Sequence, residues 1–320
     1  MINAFSKLSA VHQGGVLILA ILTAATLIIW LLKKLKPQSN WEELVNRIKS
    51  WWVMAAVFFG AISLNRNISL LFFVLLSFWA LKEYVTILKT RRADHWALLL
   101  AFIAVPVQFY WIYIGWYGMF LIFIPVYIFL FLPILLMLAQ EPSGYLESSA
   151  KIQWGLIAFV YGLSHLGYLM KLPMIGGHVI SGQALLLFLV IITEMNDVFQ
   201  YLWGKTIGSH KILPKISPKK TWEGFIGGAL TTTVFSLLLK FLTPFNACQV
   251  MLVAFTLAIA GFCGDVVMSA IKRDVGIKDF STVIPGHGGM LDRVDSLCYT
   301  APIFFHIIAY FYFQGVISFL

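Results

Sequence analysis

Long apolar stretches separated by short charged joints recur along all 320 residues. About 20 apolar residues at 1.5 Å rise each cross a hydrocarbon core, so the stretches predict membrane-spanning helices. Ten can be drawn, over residues 15–32, 51–64, 68–88, 96–114, 117–139, 152–170, 183–202, 224–242, 248–268 and 297–318. The second is short for a full crossing, which leaves open nine spans plus a partial one. Trp41 to Lys49 places Trp41, Leu44, Val45 and Ile48 at helical spacing, and Ser39 and Asn40 each stand three residues before a glutamate, the spacing of a capping box. That segment reads as an amphipathic helix on the membrane surface, with an ordinary linker as the alternative. Barrel-like alternation of apolar and polar residues is absent. The fold class expected is all-α, a polytopic helical membrane protein of about ten transmembrane helices.

Composition agrees. Sixty per cent of the residues are hydrophobic, 12% are charged and the mean hydropathy is +0.87, outside the range of soluble domains. A net charge of +9 would suggest nucleic acid in a soluble protein, but here the distribution of the charge decides. With the N-terminus outside, every Lys and Arg except Lys7, Arg66, Lys171 and Lys240 falls in a cytoplasmic segment, which is 19 of 23. The run 15–32 is followed by Lys33, Lys34 and Lys36 instead of a small-residue cleavage site, so it is expected to stay as a helix. Cys248, Cys263 and Cys298 are odd in number and lack a CxxC spacing; all three are expected to be buried apolar residues.

The first 180 residues carry few polar residues within their spans. The chain is therefore expected to divide into N-terminal transmembrane helices, 1–180, and a C-terminal catalytic core with its loops, 181–320. Three clusters in the second part could carry chemistry. Glu194, Asn196 and Asp197 lie near the cytoplasmic end of a span, where carboxylates cost roughly 2.5–3.5 kcal/mol each on insertion and usually face a cavity or a partner. Asp197 could instead pair with a lysine at the helix end. The loop from Lys205 to Gly224 offers five lysines, Ser217, Thr221 and a helix start, all suited to phosphate oxygens, although a basic cytoplasmic loop would look similar. Its GKT lacks the spacing of a P-loop.

The third cluster is Asp265 followed by Ser269 to Asp295, SAIKRDVGIKDFSTVIPGHGGMLDRVD. Asp265, Ser269, Lys272 and Arg273 share one helix face at i, i+4, i+7 and i+8. Lys278, Asp279 and the glycine-rich PGHGG turn come next, and then Asp292, Arg293 and Asp295. Acids interleaved with bases suit a site where carboxylates hold Mg²⁺ and Lys or Arg hold phosphate; a structural salt-bridge network is the alternative. His287 could contact phosphate or cap the turn, and His165, His178 and His306 read as packing residues.

The run S-x-x-K-R-x-x-x-x-K-D-x-S-x-x-I-P-G-H-G-G-x-x-D-R-x-D resembles the diagnostic motif of the phosphatidate cytidylyltransferases, also called CDP-diacylglycerol synthases. ISPKKTWEG at 216–224 is similar to that family's S-P-x-K-T-x-E-G element, and Asp197, Tyr201, Gly204, Lys205 and Gly208 keep its D-x-x-x-Y-x-x-G-[KR]-x-x-G spacing. The resemblance covers residues 180–320. It implies transfer of the cytidylyl group of CTP to phosphatidate, giving CDP-diacylglycerol and pyrophosphate with Mg²⁺, or with two metal ions. Carried over by position, it implies Asp265 and Asp292 as metal ligands and Asp197 and Asp295 as supports. It likewise implies Lys220 and Lys272 in catalysis, and Ser217, Thr221, Lys205, Arg273, Lys278, His287 and Arg293 at the substrates.

The partners expected are CTP, phosphatidate or a related lipid phosphate, membrane lipids and a second copy in a homodimer, with no nucleic acid. The place expected is a bacterial inner membrane, with the site on the cytoplasmic face. Gln200 stands where the family usually has alanine, which bears on the lipid accepted. A CTP-dependent polyprenol kinase or another lipid cytidylyltransferase would use similar physics. A transporter is the alternative from another class.

Overall fold

The computed structural model describes residues 9–35, 41–172, 180–283 and 288–312. The helix-start signal at Ser39 and Asn40, His178 and His287 lie outside the described residues. Ten helical rods follow one another: α1 (Ala10–Leu35), α2 (Glu42–Ser63), α3 (Arg66–Ile87), α4 (His95–Ile114), α5 (Tyr117–Leu138), α6 (145–169), α7 (Gly182–Thr206), α8 (Trp222–Leu242), α9 (Ala247–Val275) and α10 (Leu291–Tyr312). Each expected span overlaps one of them. Among the described residues eight candidate spans are long and apolar enough to cross a membrane, and the chain is a polytopic helical membrane protein. The other two rods, α2 and α6, begin with polar turns, EELVNRIK and YLESSAKIQ.

Three expectations change in part. The surface helix and the short second span are one rod, α2, because residues 47–53 contain no Gly or Pro that would end a helix. The all-α expectation holds apart from one hairpin, in which β1 (Lys211–Leu213) pairs antiparallel with β2 (Ser217–Thr221). Proline explains that local change: Pro214 and Pro218 cannot donate the backbone bonds a helix needs. The cysteines also differ from expectation, since only Cys298 is buried. Cys248 and Cys263 are exposed, as a bundle facing lipid permits for small apolar side chains.

Backbone groups inside a bilayer need partners, and the prolines within the helices test this. Pro133 cannot bond to the carbonyl of Phe129, and the Gln153 side-chain amide donates to that oxygen instead, at 2.9 Å. Around Pro125 the helix α5 widens to a π turn over Phe123–Ile128, and the Phe120 carbonyl accepts from the buried Gln108 amide at 3.0 Å. Pro302 frees the carbonyl of Cys298, against which Gly162 of α6 packs so closely that a Cβ would stand 2.8 Å from it. Freed carbonyls are thus used as inter-helix contacts.

The middle of the bundle is α7. Leu185, Leu186, Leu187, Phe188 and Leu189 are all buried, so this helix has neighbours on every side, whereas α1 exposes Leu27, Trp30 and Leu35 at the edge. Asn196 ties α7 to two neighbours: its amide donates to the Ala258 carbonyl of α9, and its oxygen accepts from Thr232 of α8. Thr193 bonds to Thr300 of α10 at 3.1 Å. α7 and α8 cross at glycines, where a Cβ on Gly228 would lie 2.8 Å from the backbone of Gln200. Replacing Gly228 with alanine forces that crossing apart. We expect Gly228→Ala to destabilise by about 1–3 kcal/mol, read as a lower thermal midpoint in detergent with unchanged helix content.

Candidate active site

Antiparallel succession of the rods gathers the C-terminal ends of α3, α7 and α9, the hairpin and the start of α10 at the lysine-rich end of the bundle. There the hairpin is closed by Glu223, whose carboxylate accepts from the backbone N–H groups of Ser209 and His210 and pairs with the His210 ring at 2.6 Å. Thr221 is buried, and its hydroxyl caps α8 by accepting from Gly224 N–H at 3.2 Å. A Cβ on Gly204 would stand 3.3 Å from that hydroxyl. Expected as a phosphate contact, Thr221 is engaged in holding the hairpin to α7 and α8. Ser217 is half-buried on β2, while Lys205 is exposed, with its ammonium 5.7 Å from the Tyr201 ring centre.

Lys220 reaches inward from the hairpin. Its ammonium lies 2.6 Å from Asp265 of α9 and 4.6 Å from the centre of the Phe262 ring. One turn further along α9, Ser269 donates to Asp265 at 3.3 Å. Lys272 then forms an ion pair with Asp292 at 2.8 Å, with both side chains nearly out of water at 11% and 3% exposure. Arg273 donates to the carbonyls of Ile216 and Ile277, so it fastens the hairpin to the end of α9. Gly276, at φ 80°, ends that helix with backbone bonds back to Arg273 and Lys272. The helix face expected for Asp265, Ser269, Lys272 and Arg273 is present, but its two cations do different things.

Asp292 organises the loop that follows. One oxygen takes Lys272; the other accepts the N–H groups of Phe280 and Gly289, each at 2.9 Å. At Gly288 a Cβ would approach that second oxygen to 2.8 Å, and φ there is 78°, so glycine is required twice over. Lys278 is exposed in this loop, and Arg293 is half-buried, with an Nε that has no hydrogen-bond partner among the described residues, within electrostatic reach of Glu194.

Among the described residues no three His, Cys, Asp or Glu side chains are gathered into a metal cage. The acids nonetheless suit a cation. Among the described residues Asp197 accepts a hydrogen bond only from Ser296, at 3.3 Å through one oxygen, and its other oxygen is buried without a partner. Asp295 accepts from Ser296 N–H, and Asp197 and Asp295 both lie within electrostatic range of Asp265. Gly264 lets α9 come this near, because a Cβ there would meet the Asp295 carbonyl at 3.0 Å. Three mutually repelling carboxylates and one orphaned oxygen fit a divalent ion such as Mg²⁺.

The sequence reading missed Glu83. It sits in α3, far from the motif in sequence, and is buried, yet its carboxylate accepts from Ser281 Oγ at 2.8 Å, Met290 N–H at 3.1 Å and Leu291 N–H at 2.8 Å. The available signal was an acid within the apolar stretch LLFFVLLSFWALKEYVTI, since an ionisable group in a span calls for a partner.

A helical membrane bundle whose loops bring carboxylates and lysines together at one end defines a polytopic membrane protein with a charged site suited to phosphate groups. The family model described as "Cytidylyltransferase family" matches residues 45–311, and the chain belongs to that family. It is accordingly a nucleotidyltransferase, which sets the transporter alternative aside. It is 44% identical over 294 residues to an uncharacterized protein, YnbB, of Escherichia coli strain K12, covering 91% of this chain and 96% of that one. It is 38% identical over 161 residues to a phosphatidate cytidylyltransferase of Rickettsia bellii, covering 48% of this chain and 67% of that one. A phosphatidate cytidylyltransferase of Staphylococcus aureus strain COL is 40% identical over 125 residues, covering 38% of this chain and less than half, 48%, of that enzyme.

Asp292→Asn places an amide against two N–H donors and leaves the Lys272 charge buried without its partner. We expect a loss of about 3 kcal/mol, seen as a lower thermal midpoint, while Asp265→Asn, at a more open position, leaves the midpoint near that of the wild type.

Proposed function

We propose that the enzyme transfers the cytidylyl group of CTP to phosphatidate, or a closely related lipid phosphate, on the cytoplasmic face of a bacterial inner membrane. The observation that carries this is that Asp197 and Asp295 lie within electrostatic range of Asp265, with one buried Asp197 oxygen unpartnered among the described residues, while Lys220 pairs with Asp265 and Lys272 with Asp292. The relatives named phosphatidate cytidylyltransferase support the choice of lipid, and the lysine-rich end of the bundle supports the face.

In this reading a phosphate oxygen of the lipid forms a bond to the α-phosphorus of CTP. The bond from that phosphorus to the bridging oxygen of the β-phosphate breaks, and pyrophosphate leaves with the electron pair. The attacking oxygen is already ionised, so no general base is needed. Mg²⁺ held by Asp265 with Asp197 and Asp295 would supply charge stabilisation on the phosphate oxygens. Lys220 releases Asp265 and takes a phosphate of the nucleotide, Lys272 stays beside Asp292 and presents fixed positive charge, and Ser217 with Lys205 and Lys278 line the approach. Residues 280–283 and 288–291, together with the hairpin, orient the two anions toward each other.

Purified protein given Mg²⁺, labelled CTP and a panel of lipid phosphates should release pyrophosphate in step with a CDP-lipid, read by mass spectrometry. CDP together with a newly phosphorylated lipid would establish a kinase instead, and no turnover on any acceptor would overturn the reading. Asp265→Asn and Asp197→Asn should each lower kcat by about 100-fold or more, and Lys220→Ala should raise KM for CTP more than for the lipid. For the membrane face, a cysteine at Lys219 should react with an impermeant thiol reagent in inverted vesicles and not in sealed right-side-out ones; the reverse would overturn the orientation.

A further inference from the structure

We propose that Glu83 is the positioning residue that closes the neck of the signature loop and thereby sets the enzyme's grip on the nucleotide. The inference rests on the nucleotidyltransfer reading above.

Two limbs of chain meet at the neck, 280–281 going out and 289–291 coming back. Asp292 clasps both limbs on the side of α9, through Phe280 N–H and Gly289 N–H. Glu83 clasps both on the side of α3, through Ser281 Oγ on one limb and Met290 and Leu291 N–H on the other. The two carboxylates therefore hold adjacent residues of the same two limbs from different helices. Asp292 is balanced by Lys272, whereas among the described residues no Lys or Arg forms a salt bridge with Glu83.

Neutral donors stabilise the Glu83 charge instead: the three on the loop and the Trp79 indole N–H, 3.2 Å away on the same helix. A buried carboxylate without a cation is costly, so its position has to be matched by the loop that supplies the hydrogen bonds. Gly289 records the fit, since a Cβ there would stand 2.5 Å from one Glu83 oxygen and 2.8 Å from the Ser281 hydroxyl. The loop end thus leans directly on the carboxylate. From there the chain passes within two residues to Asp292, and through it to Lys272. Displacing the neck moves the fixed positive charge that faces the nucleotide.

Glu83→Gln keeps the shape but turns an N–H₂ group toward donors, most directly that of Leu291. Its expected effects are a KM for CTP raised about tenfold, by the loss of one hydrogen bond to a charged group, with the KM for the lipid unchanged. Ser281→Ala should give a smaller change in the same direction, and added to Glu83→Gln it should cost less than it does alone. Hydrogen exchange of the Met290 and Leu291 amides should accelerate in Glu83→Gln whether or not the enzyme accepts phosphatidate, which separates this proposal from the substrate assignment. Wild-type exchange at those two amides, or independent effects of the two substitutions, would overturn it. If Glu83→Gln does not fold, the Ser281→Ala variant alone decides: unchanged KM for CTP and unchanged exchange at Met290 and Leu291 would overturn the proposal too.

Discussion

The ion pair of Lys272 with Asp292 is the constraint around which the working end of the molecule is built. Taking both charges out of water costs several kcal/mol per ion, and the attraction between them offsets that only when the remaining lone pairs are used. Asp292 uses them: the oxygen not facing Lys272 accepts two backbone N–H groups, from Phe280 and Gly289. The requirement propagates outward. Phe280 and Gly289 can meet that oxygen only if α9 ends at Gly276 and the returning chain passes through a positive φ at Gly288. Lys272 itself is ranged over the Phe280 ring, 5.2 Å from its centre. The end of α9, the loop and the start of α10 are one electrostatic unit.

The same physics, with neutral partners, holds the rest of the bundle. Helices in lipid gain little from burying one apolar face against another, so close approach and hydrogen bonds decide which pairs stay together. Asn196 joins α7, α8 and α9 through polar contacts, and Gly228 and Gly264 allow close crossings where a side chain would collide with backbone. Carbonyls released by Pro133 and by the π turn near Pro125 recruit Gln153 and Gln108. These devices fix the helices α7, α9 and α10, which carry Asp197, Asp265 and Asp295. Positioning at the site is thus inherited from packing several turns away.

What was readable from the residues follows from how local the cause is. Apolar length is local, so the rods and their order were legible, as was the shared face of Asp265, Ser269, Lys272 and Arg273. The junction between 41–49 and 51–64 was misdivided because a change of polarity was read as a change of element, although nothing there interrupts the backbone. The hairpin at 211–221 is too short to show a period of its own. Partner choice is not local at all: that Lys220 meets Asp265 while Lys272 meets Asp292, and that Thr221 caps a helix, depends on tertiary approach. Glu83 shows the limit most clearly, since its partners lie about two hundred residues away in sequence.

The two lysine pairs differ in what it costs to open them, and that difference suits a site meant to bind anions. Lys220 and Asp265 are 16% and 28% exposed, so water can replace either partner and the pair is held weakly. Lys272 and Asp292 are far drier, and Asp292 carries two further bonds that would be left strained if its lysine moved. In the proposed reaction an incoming polyphosphate would compete with Asp265 for Lys220 at lower cost than it would dislodge Lys272 from Asp292. On that reading Lys220 would follow the ligand and Lys272 would remain as a fixed reference charge. Lys220 turning away would leave Asp265 a free carboxylate within electrostatic range of Asp197 and Asp295, so that anion binding and cation binding would be coupled.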